Sequence, residues 1–391
     1  MRRLESASTS SCRSVSDGVA LHRLSLTGFR NLAAQELEVR AGLTVVVGPN
    51  GSGKTNLLEA LAVFGNLASF RPGPALAWVQ RGARGFTLTG TVGRGGAAVE
   101  LRQDARAGRT LGRMLFRGAR RLGAAEYLDL FPVAALSGHD RQLVWGVPED
   151  RRRFLDRLCF HLHPEALAVL QRYRRALRQR NALLAGVGRE EEFEAFEHDL
   201  AFLGARIVAF RQAAVAGLER HVGAELEALG WSLPRPVLRY NSPDGVAVAE
   251  PATLAARLRV ALAASRRRER ARGHTAVGPH RHDLVLTVQG APAREVLSAG
   301  QGKLLATALK LTAMTLLGEV RGRTPTVVFD DVDAELDAAV LRRVLGRLQG
   351  DGQALLSSAH EEMVLSRLAA GTVWRMRAGT VEVVPAGGSE A

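Results

Sequence analysis

The chain has 391 residues, 46% of them apolar and 24% charged, with a formal net charge of +14. That composition suits a globular protein of two or three domains, and the excess of base points to a polyanionic partner, nucleic acid before an anionic membrane. Cys12 and Cys159 are too few and too far apart for a disulfide framework or a cysteine zinc site, and no run of about eighteen apolar residues marks a membrane span. The most apolar helical stretch, Leu304 to Leu317, carries Lys310 in its middle, and the sparse cysteines suit a reducing cytoplasm, the location expected for the chain.

Residues 1–18 are rich in Ser and Arg without an apolar run, so they read as a disordered extension and not as a secretory leader. Leu21 to Leu26 alternates as an edge strand would, and Gln35 to Val39 alternates again. Leu43 to Val47 is an apolar, β-branched run that passes through a glycine-rich loop into the helical Asn56 to Leu61. Alternating runs from Gly85 to Leu101 and from Leu111 to Phe116 predict an antiparallel meander. The period changes at Pro148, and from Arg151 to about Arg272 apolar residues recur at helical spacing without sustained heptads. Strand patterning returns at His282 to Val288, and Leu297-Ser298-Ala299-Gly300-Gln301 opens a helix over Gly302 to Val320. Pro325 to Asp331 reads as a short strand ending in two carboxylates, Ala354 to His360 as a strand stopping on a histidine, and Gly371 to Val384 as a hairpin around Ala378-Gly379. The fold class is α/β.

Between the third predicted strand and its helix, Gly48, Gly53, Lys54 and Thr55 fill the fixed positions of G-x-x-x-x-G-K-[ST]. Gly48, Gly51 and Gly53 allow backbone conformations that let successive N–H groups turn on one phosphate, and the helix start adds partial positive charge. Lys54 is placed for the β- and γ-phosphates and Thr55 for Mg2+. Only three of the 53 Lys and Arg residues are lysines, Lys54, Lys303 and Lys310. A compact ammonium in a phosphate loop cannot be exchanged for a planar guanidinium, which explains why Lys54 is among them.

The later motifs fit the same chemistry. Asp330 suits the carboxylate that anchors the metal, and Asp331 the group that orients or deprotonates the attacking water. His360 is placed to reach a γ-phosphate from the tip of the next strand. Ser298 and Gly300 offer a hydroxyl, free N–H groups and a helix dipole, a second phosphate cradle in a chain whose nucleotide needs one; the alternative is a plain N-cap. Arg172, Arg174, Arg175, Arg178 and Arg180 crowd one helix, and Arg266, Arg267, Arg268, Arg270 and Arg272 another, either as solvated faces or as contacts to DNA phosphates. Arg117, Arg120, Arg121, Arg172 and Arg175 are the candidate DNA contacts.

Together these motifs resemble the ABC-type ATPase heads, in which the phosphate loop of each subunit and the signature serine of its partner sandwich two ATPs. The separation of Lys54 from Ser298 is longer than in transporter subunits and shorter than in SMC or Rad50 proteins, and in this it resembles the RecF family of recombination mediators. Gly146-Val147-Pro148-Glu149-Asp150-Arg151-Arg152-Arg153-Phe154-Leu155-Asp156 is similar to that family's G-x-P-x-x-R-R-x-F-L-D segment. Phe29-Arg30-Asn31, Gly278-Pro279-His280-Arg281 and Ala334-Glu335-Leu336-Asp337 also match.

The resemblance implies an ABC-type head with a mixed sheet and antiparallel meander over 19–150 and 275–391, and a helical lobe inserted over 151–274. It implies an ATP site drawn from Arg30, Asn31, Gly48, Pro49, Asn50, Gly51, Ser52, Gly53, Lys54, Thr55 and Asn56. Ser298, Gly300 and Gln301 would complete it across a dimer, with Asp337 at the subunit seam and His360 as the switch histidine. Lys54, Asp331 and His360 form the catalytic set, and Thr55 and Asp330 hold Mg2+. Gly138-His139-Asp140-Arg141 departs from the usual metal-contacting loop, leaving Asp140 and Gln142 as its candidates, while His282 stands for a usual Asp and Val340 at a position often basic.

The expected function is an ATP-driven dimer that clamps gapped DNA or single-strand/double-strand junctions in recombinational repair and the SOS response. It would hydrolyse ATP slowly and, with RecR and indirectly RecO, help RecA displace single-strand-binding protein. The alternatives are another ABC-type head, SMC-like or a transporter subunit, and a non-catalytic, nucleotide-bound DNA scaffold.

Overall fold

The computed structural model describes residues 19–94, 97–186, 189–244, 251–349, 352–366 and 370–384, with the backbone alone at 251, 252, 334, 335 and 384. The extension expected over 1–18 lies outside the described residues. In chain order, β1 (Ala20–Thr27), β2 (Gln35–Glu38) and β3 (Gly42–Val47) lead into α1 (Lys54–Asn66). Then come β4 (Gly85–Arg94), β5 (Ala97–Arg106), β6 (Gly112–Arg117), β7 (Arg120–Leu122), α2 (Ala124–Leu130), β8 (Val133–Leu136) and α3 (Gln142–Trp145). The helical stretch comprises α4 (Pro148–Leu162), α5 (Glu165–Ala185), α6 (Glu190–Leu229) and α7 (Pro251–Arg272), with β9 (Val237–Asn241) between the last two. After it run β10 (Asp283–Val288), β11 (Ala291–Pro292), α8 (Ala293–Val296), α9 (Ala299–Arg321), β12 (Thr326–Phe329), α10 (Val332–Glu335) and α11 (Ala338–Gln349). β13 (Gln353–Ser358), α12 (Glu361–Leu365), β14 (Thr372–Arg377) and β15 (Thr380–Val384) follow.

Two sheets sandwich α1. The first, ordered β2-β1-β4-β5-β6-β7, is antiparallel, as the meander predicted. The second is ordered β15-β14-β3-β13-β12-β8, parallel throughout except for β15. Both of its faces are covered, so β3, β12 and β13 are buried along nearly their whole length. Val45 and Val47 join Val327, Phe329 and Leu356 in one core, while Val46 turns to the other with Val328 and Leu355. β9, β10 and β11 form a small antiparallel sheet.

The edge position expected for Leu21 to Leu26 is corrected: β1 pairs with both β2 and β4. Alternation reports that one face is buried, which holds for inner and outer strands of a one-sided sheet alike. The signature helix also begins earlier than Gly302, at Ala299, because Ser298 caps it. By length and composition α6 could cross a membrane, yet 61% of its apolar window is buried inside the protein. It is the shared spine of two cores, one against α9 and the other between α5 and α7.

Within that second core Arg180 is fully buried, which removes it from the basic face expected of α5. It donates to Glu197 at 2.8 Å and to Glu269 at 2.6 Å, while Arg266 donates to Glu197 at 2.6 Å. Removing one member of such a buried set costs about 3–5 kcal/mol, because its partners keep their charge out of water.

The two stretches that carried much of the family resemblance grip each other. Arg151 makes a two-pronged pair with Asp283 at 2.9 and 2.8 Å, and Arg152 donates to the His282 carbonyl at 2.9 Å. Arg211 of α6 joins Asp156 at 2.8 Å to the Pro279 carbonyl at 2.6 Å. At the other end of the chain, the β14–β15 turn supports the glycine-rich loop: the Gly379 N–H donates to the Ser52 carbonyl at 2.8 Å and the Gly379 carbonyl accepts from the Ala33 N–H at 3.0 Å.

Candidate nucleotide site

β3 ends at Val47 and the chain turns through Gly48, Gly51 and Gly53 at φ of 148°, 80° and 115° before α1 begins at Lys54. All three angles lie in the region that side chains disfavour, and at Gly48 a Cβ would meet the Met376 carbonyl oxygen at 2.4 Å. Lys54 is buried, and its Nζ donates to the Gly48 carbonyl at 2.6 Å and the Pro49 carbonyl at 3.1 Å, curled back over its own loop. Burial lowers its pKa, with Asp331, Asp333 and Asp330 pulling the other way.

Strand order assembles the acids. β13 lies between β3 and β12, so the ends of β13 and β12 stand beside the loop. Ser357 at the end of β13 donates to Asp330 Oδ1 at 2.7 Å, and its Oγ accepts from the Asp331 N–H at 2.8 Å. Burial pushes the Asp330 pKa up, opposed by hydrogen bonds from Ser357 and Thr55 and by the charges of Arg71 and Lys54. Asp331 is exposed at φ 55°, a left-handed turn that Asp tolerates better than most residues.

These groups line one cleft of about 590 Å3. Asn50, Gly51, Gly53, Lys54, Thr55 and Asn56 form one wall; Asp330, Asp331 and Ser357 form another; Ser137, Gly138, His139, Arg141 and Arg71 close it. Of the remaining expected residues, Gly48, Pro49 and Ser52 form the back of the loop. Arg30 is paired with Glu59 at 2.9 and 2.7 Å, and Asn31 accepts from Asn56 at 2.6 Å. His360 does not line the cleft. It is exposed, and its Nδ1 lies 2.8 Å from Asp333 Oδ2, the same oxygen that accepts from the Ser358 hydroxyl at 2.7 Å and the His360 N–H at 3.0 Å. Burial works against the charge on Asp333, yet those hydrogen bonds hold its pKa below the usual carboxylate range.

Ser298, Gly300, Gln301 and Asp337 also stand outside the cleft. Ser298 and Gln301 cap α9 reciprocally, at 2.9 and 3.3 Å, with Ser298 and Gly300 exposed. Asp337 caps α11, accepting from the Ala339 and Val340 N–H groups at 2.9 Å. Asp140 is corrected as a metal-loop candidate: it accepts from the Ser137 N–H at 2.8 Å and pairs with Lys310 at 2.9 Å, and neither it nor Gln142 borders the cleft. The same loop contributes His139 and Arg141 instead. Arg117, Arg120 and Arg121 are exposed on the β6–β7 hairpin and Arg172 and Arg175 on α5, with α2 packed against both β6 and α5; Arg120 pairs with Glu126 at 3.0 Å.

The donors present fit a magnesium nucleotide. The loop is a cradle in which a Cβ at Gly48 would collide, and the Ser52 hydroxyl is buried without a partner among the described residues. Thr55 bonds Asp330, which gives one hydroxyl and one carboxylate side by side. Among the described residues no cluster of three or more His, Cys, Asp or Glu could hold a metal alone. Mg2+ in a phosphate site takes most of its ligands from phosphate and water, so one carboxylate and one hydroxyl suffice.

A parallel sheet bearing a phosphate loop, acids at the next strand ends, an antiparallel meander and an inserted helical lobe define an ABC-type P-loop ATPase head. Residues 20–379 match the family model described as "RecF/RecN/SMC N terminal domain". The chain is 39% identical over 348 residues to the DNA replication and repair protein RecF of Anaeromyxobacter dehalogenans (strain 2CP-1), covering 87% of this chain and 92% of the relative. It is 35% identical over 351 residues to the RecF of Synechococcus sp. (strain JA-3-3Ab), covering 87% and 91%. A solved structure described as the recombination mediator protein RecF-ATP in the RecFOR pathway superposes with a TM-score of 0.86 at 26% identity, over 95% of this chain and 99% of that one. The chain belongs to the RecF family.

Proposed function

We propose that this protein is an ATP-dependent DNA-binding protein of recombinational repair, in which two copies close on DNA when ATP is bound and reopen after hydrolysis. One observation carries the reading: Lys54, Thr55 and Asp330 converge on one cleft, while the signature Ser298 stands exposed outside it. A second copy is what can bring a Ser298 to that cleft.

In this reading Lys54 leaves the Gly48 and Pro49 carbonyls to pair with the β- and γ-phosphates. Thr55 and Asp330 hold Mg2+, which when bound offsets charge on the phosphate oxygens. Asp331 orients the attacking water, and Asp333 fixes the ring of His360 for the γ-phosphate side. Ser298, Gly300 and Gln301 of the second copy close the site, with Asp337 at the seam. Nucleotide then favours the closed pair only through its contacts to both copies, so ATP and ADP differ in effect. Residues 19–150 and 275–391 are the head and 151–274 the lobe. The DNA would be gapped or junctional, the partners RecR and, indirectly, RecO and RecA, and the setting the cytoplasm.

Asp331 is one methylene shorter than a glutamate, so its carboxylate stands farther from the water. Turnover should fall below the roughly 10 per second typical of enzymes, with or without DNA, in a steady-state phosphate-release assay. The dimer is tested by light scattering with ATP, ADP and no nucleotide. Lys54→Met should abolish the ATP-dependent dimer, and Ser298→Arg should block it while monomer ATP binding persists. Dimers of both variants with ATP would overturn the composite site.

A further inference from the structure

The loop that follows β8 forms one wall of the nucleotide cleft, and the sheet sets its place. β12 and β8 run parallel with Phe329 level with Leu136, and the Asp330 N–H donates to the Leu136 carbonyl at 2.9 Å. Ser137 to Arg141 therefore leaves the sheet beside Asp330 and Asp331. In the row of strand ends β3-β13-β12-β8 it stands at the far end from the glycine-rich loop. A phosphate chain cradled by that loop and running toward Asp330 turns its terminal phosphate to this wall.

Three Lys and Arg side chains line the cleft: Lys54, Arg71 and Arg141. Lys54 is turned back on the Gly48 and Pro49 carbonyls. Arg71 donates to Asn56 at 2.9 Å and reaches Glu59 at 3.4 Å. Arg141 is exposed and makes no hydrogen bond or ion pair with a described residue. A planar guanidinium with no other partner matches phosphate oxygens two at a time.

One carboxylate holds this wall in place. Asp140, next to Arg141, accepts from the Ser137 N–H on Oδ2 at 2.8 Å and meets Lys310 Nζ on Oδ1 at 2.9 Å. Lys310 also donates to the Ala135 carbonyl at 2.7 Å, so one ammonium of α9 fastens both β8 and the loop after it. The pair is largely shielded from water, with side chains 15% and 20% exposed. Lys310 is one of only three lysines in a chain that otherwise uses arginine, and a compact ammonium suits a point where a carbonyl and a carboxylate converge.

We propose that Arg141 binds the terminal phosphate of the nucleotide, and that Lys310 is the positioning residue that holds it there through Asp140. The assignment rests on the nucleotide reading of the cleft. Arg141 then favours ATP over ADP, because ADP lacks the group it meets.

Fluorescence titration of the full chain with mant-ATP and mant-ADP in the presence of Mg2+ tests this, at nanomolar protein where mass photometry sizes a monomer. Arg141→Ala should weaken ATP about tenfold or more and ADP by less than about twofold. Lys310→Met should weaken ATP about threefold or more and leave ADP at wild-type strength, which also shows that the phosphate loop is folded. In the double variant the two losses should not add. Unchanged ATP affinity in either single variant, losses shared equally by ADP, or full additivity in the double variant would overturn the proposal while leaving the nucleotide site standing. A wild-type chain that binds neither nucleotide would overturn the nucleotide reading, and the proposal with it.

Discussion

Asp330 is held between two hydroxyls in a place that water hardly reaches. Burial raises its pKa, and the Ser357 and Thr55 hydrogen bonds partly restore the ionised form. Deleting a donor to the carboxylate therefore moves its pKa higher still. For Ser357→Ala we expect the acid limb of the ATPase pH profile to shift upward by about one unit, the equivalent of one modest hydrogen bond. An unmoved limb would remove Asp330 from the metal site. The phosphate loop was legible in the sequence because its glycines, its lysine and its flanking elements are neighbours along the chain. Arg71, His139, Arg141 and Ser357 were not, since Arg71 comes from the segment after α1, His139 and Arg141 from the loop after β8 and Ser357 from the end of β13, and only the order β3-β13-β12-β8 brings these segments together. Asp333 was not legible as a partner of His360, because the left-handed turn at Asp331 redirects the chain and only that redirection brings Asp333 to His360.

At the scale of elements, the signature helix is set by a neighbour rather than by its cap alone. Gly302 in the first turn of α9 faces the Trp145 ring, and a Cβ there would lie 2.0 Å from it. Trp145 closes α3, which begins at the Gln142 end of the cleft-lining loop and is joined by Gly146 and Val147 to α4. One side chain thus ties the nucleotide cleft, the signature helix and the first lobe helix. Gly302→Ala should destabilise the protein by about 1–3 kcal/mol through overpacking. Trp145→Ala in the same chain should recover part of that loss, so a double-mutant cycle by urea denaturation should be non-additive. Strict additivity would mean the ring moves aside freely. Most elements could be read from period alone, as the helical stretch and the closing hairpin show. β9 could not, because Leu238 and Tyr240 alternate over too few residues within a helical context, and its strand identity comes from pairing with β10.

For the molecule as a whole, charge governs two responses. Binding to DNA should weaken steeply with salt, and replacing Arg172 and Arg175 together by Ala should lower the slope of log K against log salt by about two if both meet phosphates. An unchanged slope in a fluorescence-anisotropy titration would place the DNA elsewhere. Acid acts through two half-buried histidines. Burial draws the His280 pKa down to about 4, against the hydrogen bond to the Thr275 carbonyl, and His161 down to about 3. The fold thus favours their neutral forms: stability is full above the unfolded value of about 6.5 and is lost as pH falls from there toward the folded values. Urea midpoints should decline between about pH 6.5 and 4 and stay level above that range as far as these groups decide; a flat series would contradict it.

The turn at Gly379 has one further effect. It braces the Ser52 carbonyl and the Ala33 N–H, and a Cβ on it would strike the Asn31 carbonyl oxygen at 2.3 Å. During synthesis on the ribosome the glycine-rich loop emerges early, and the hairpin that props it up emerges only after more than three hundred further residues. A nascent or prematurely terminated chain therefore carries Lys54 on a loop that lacks this brace.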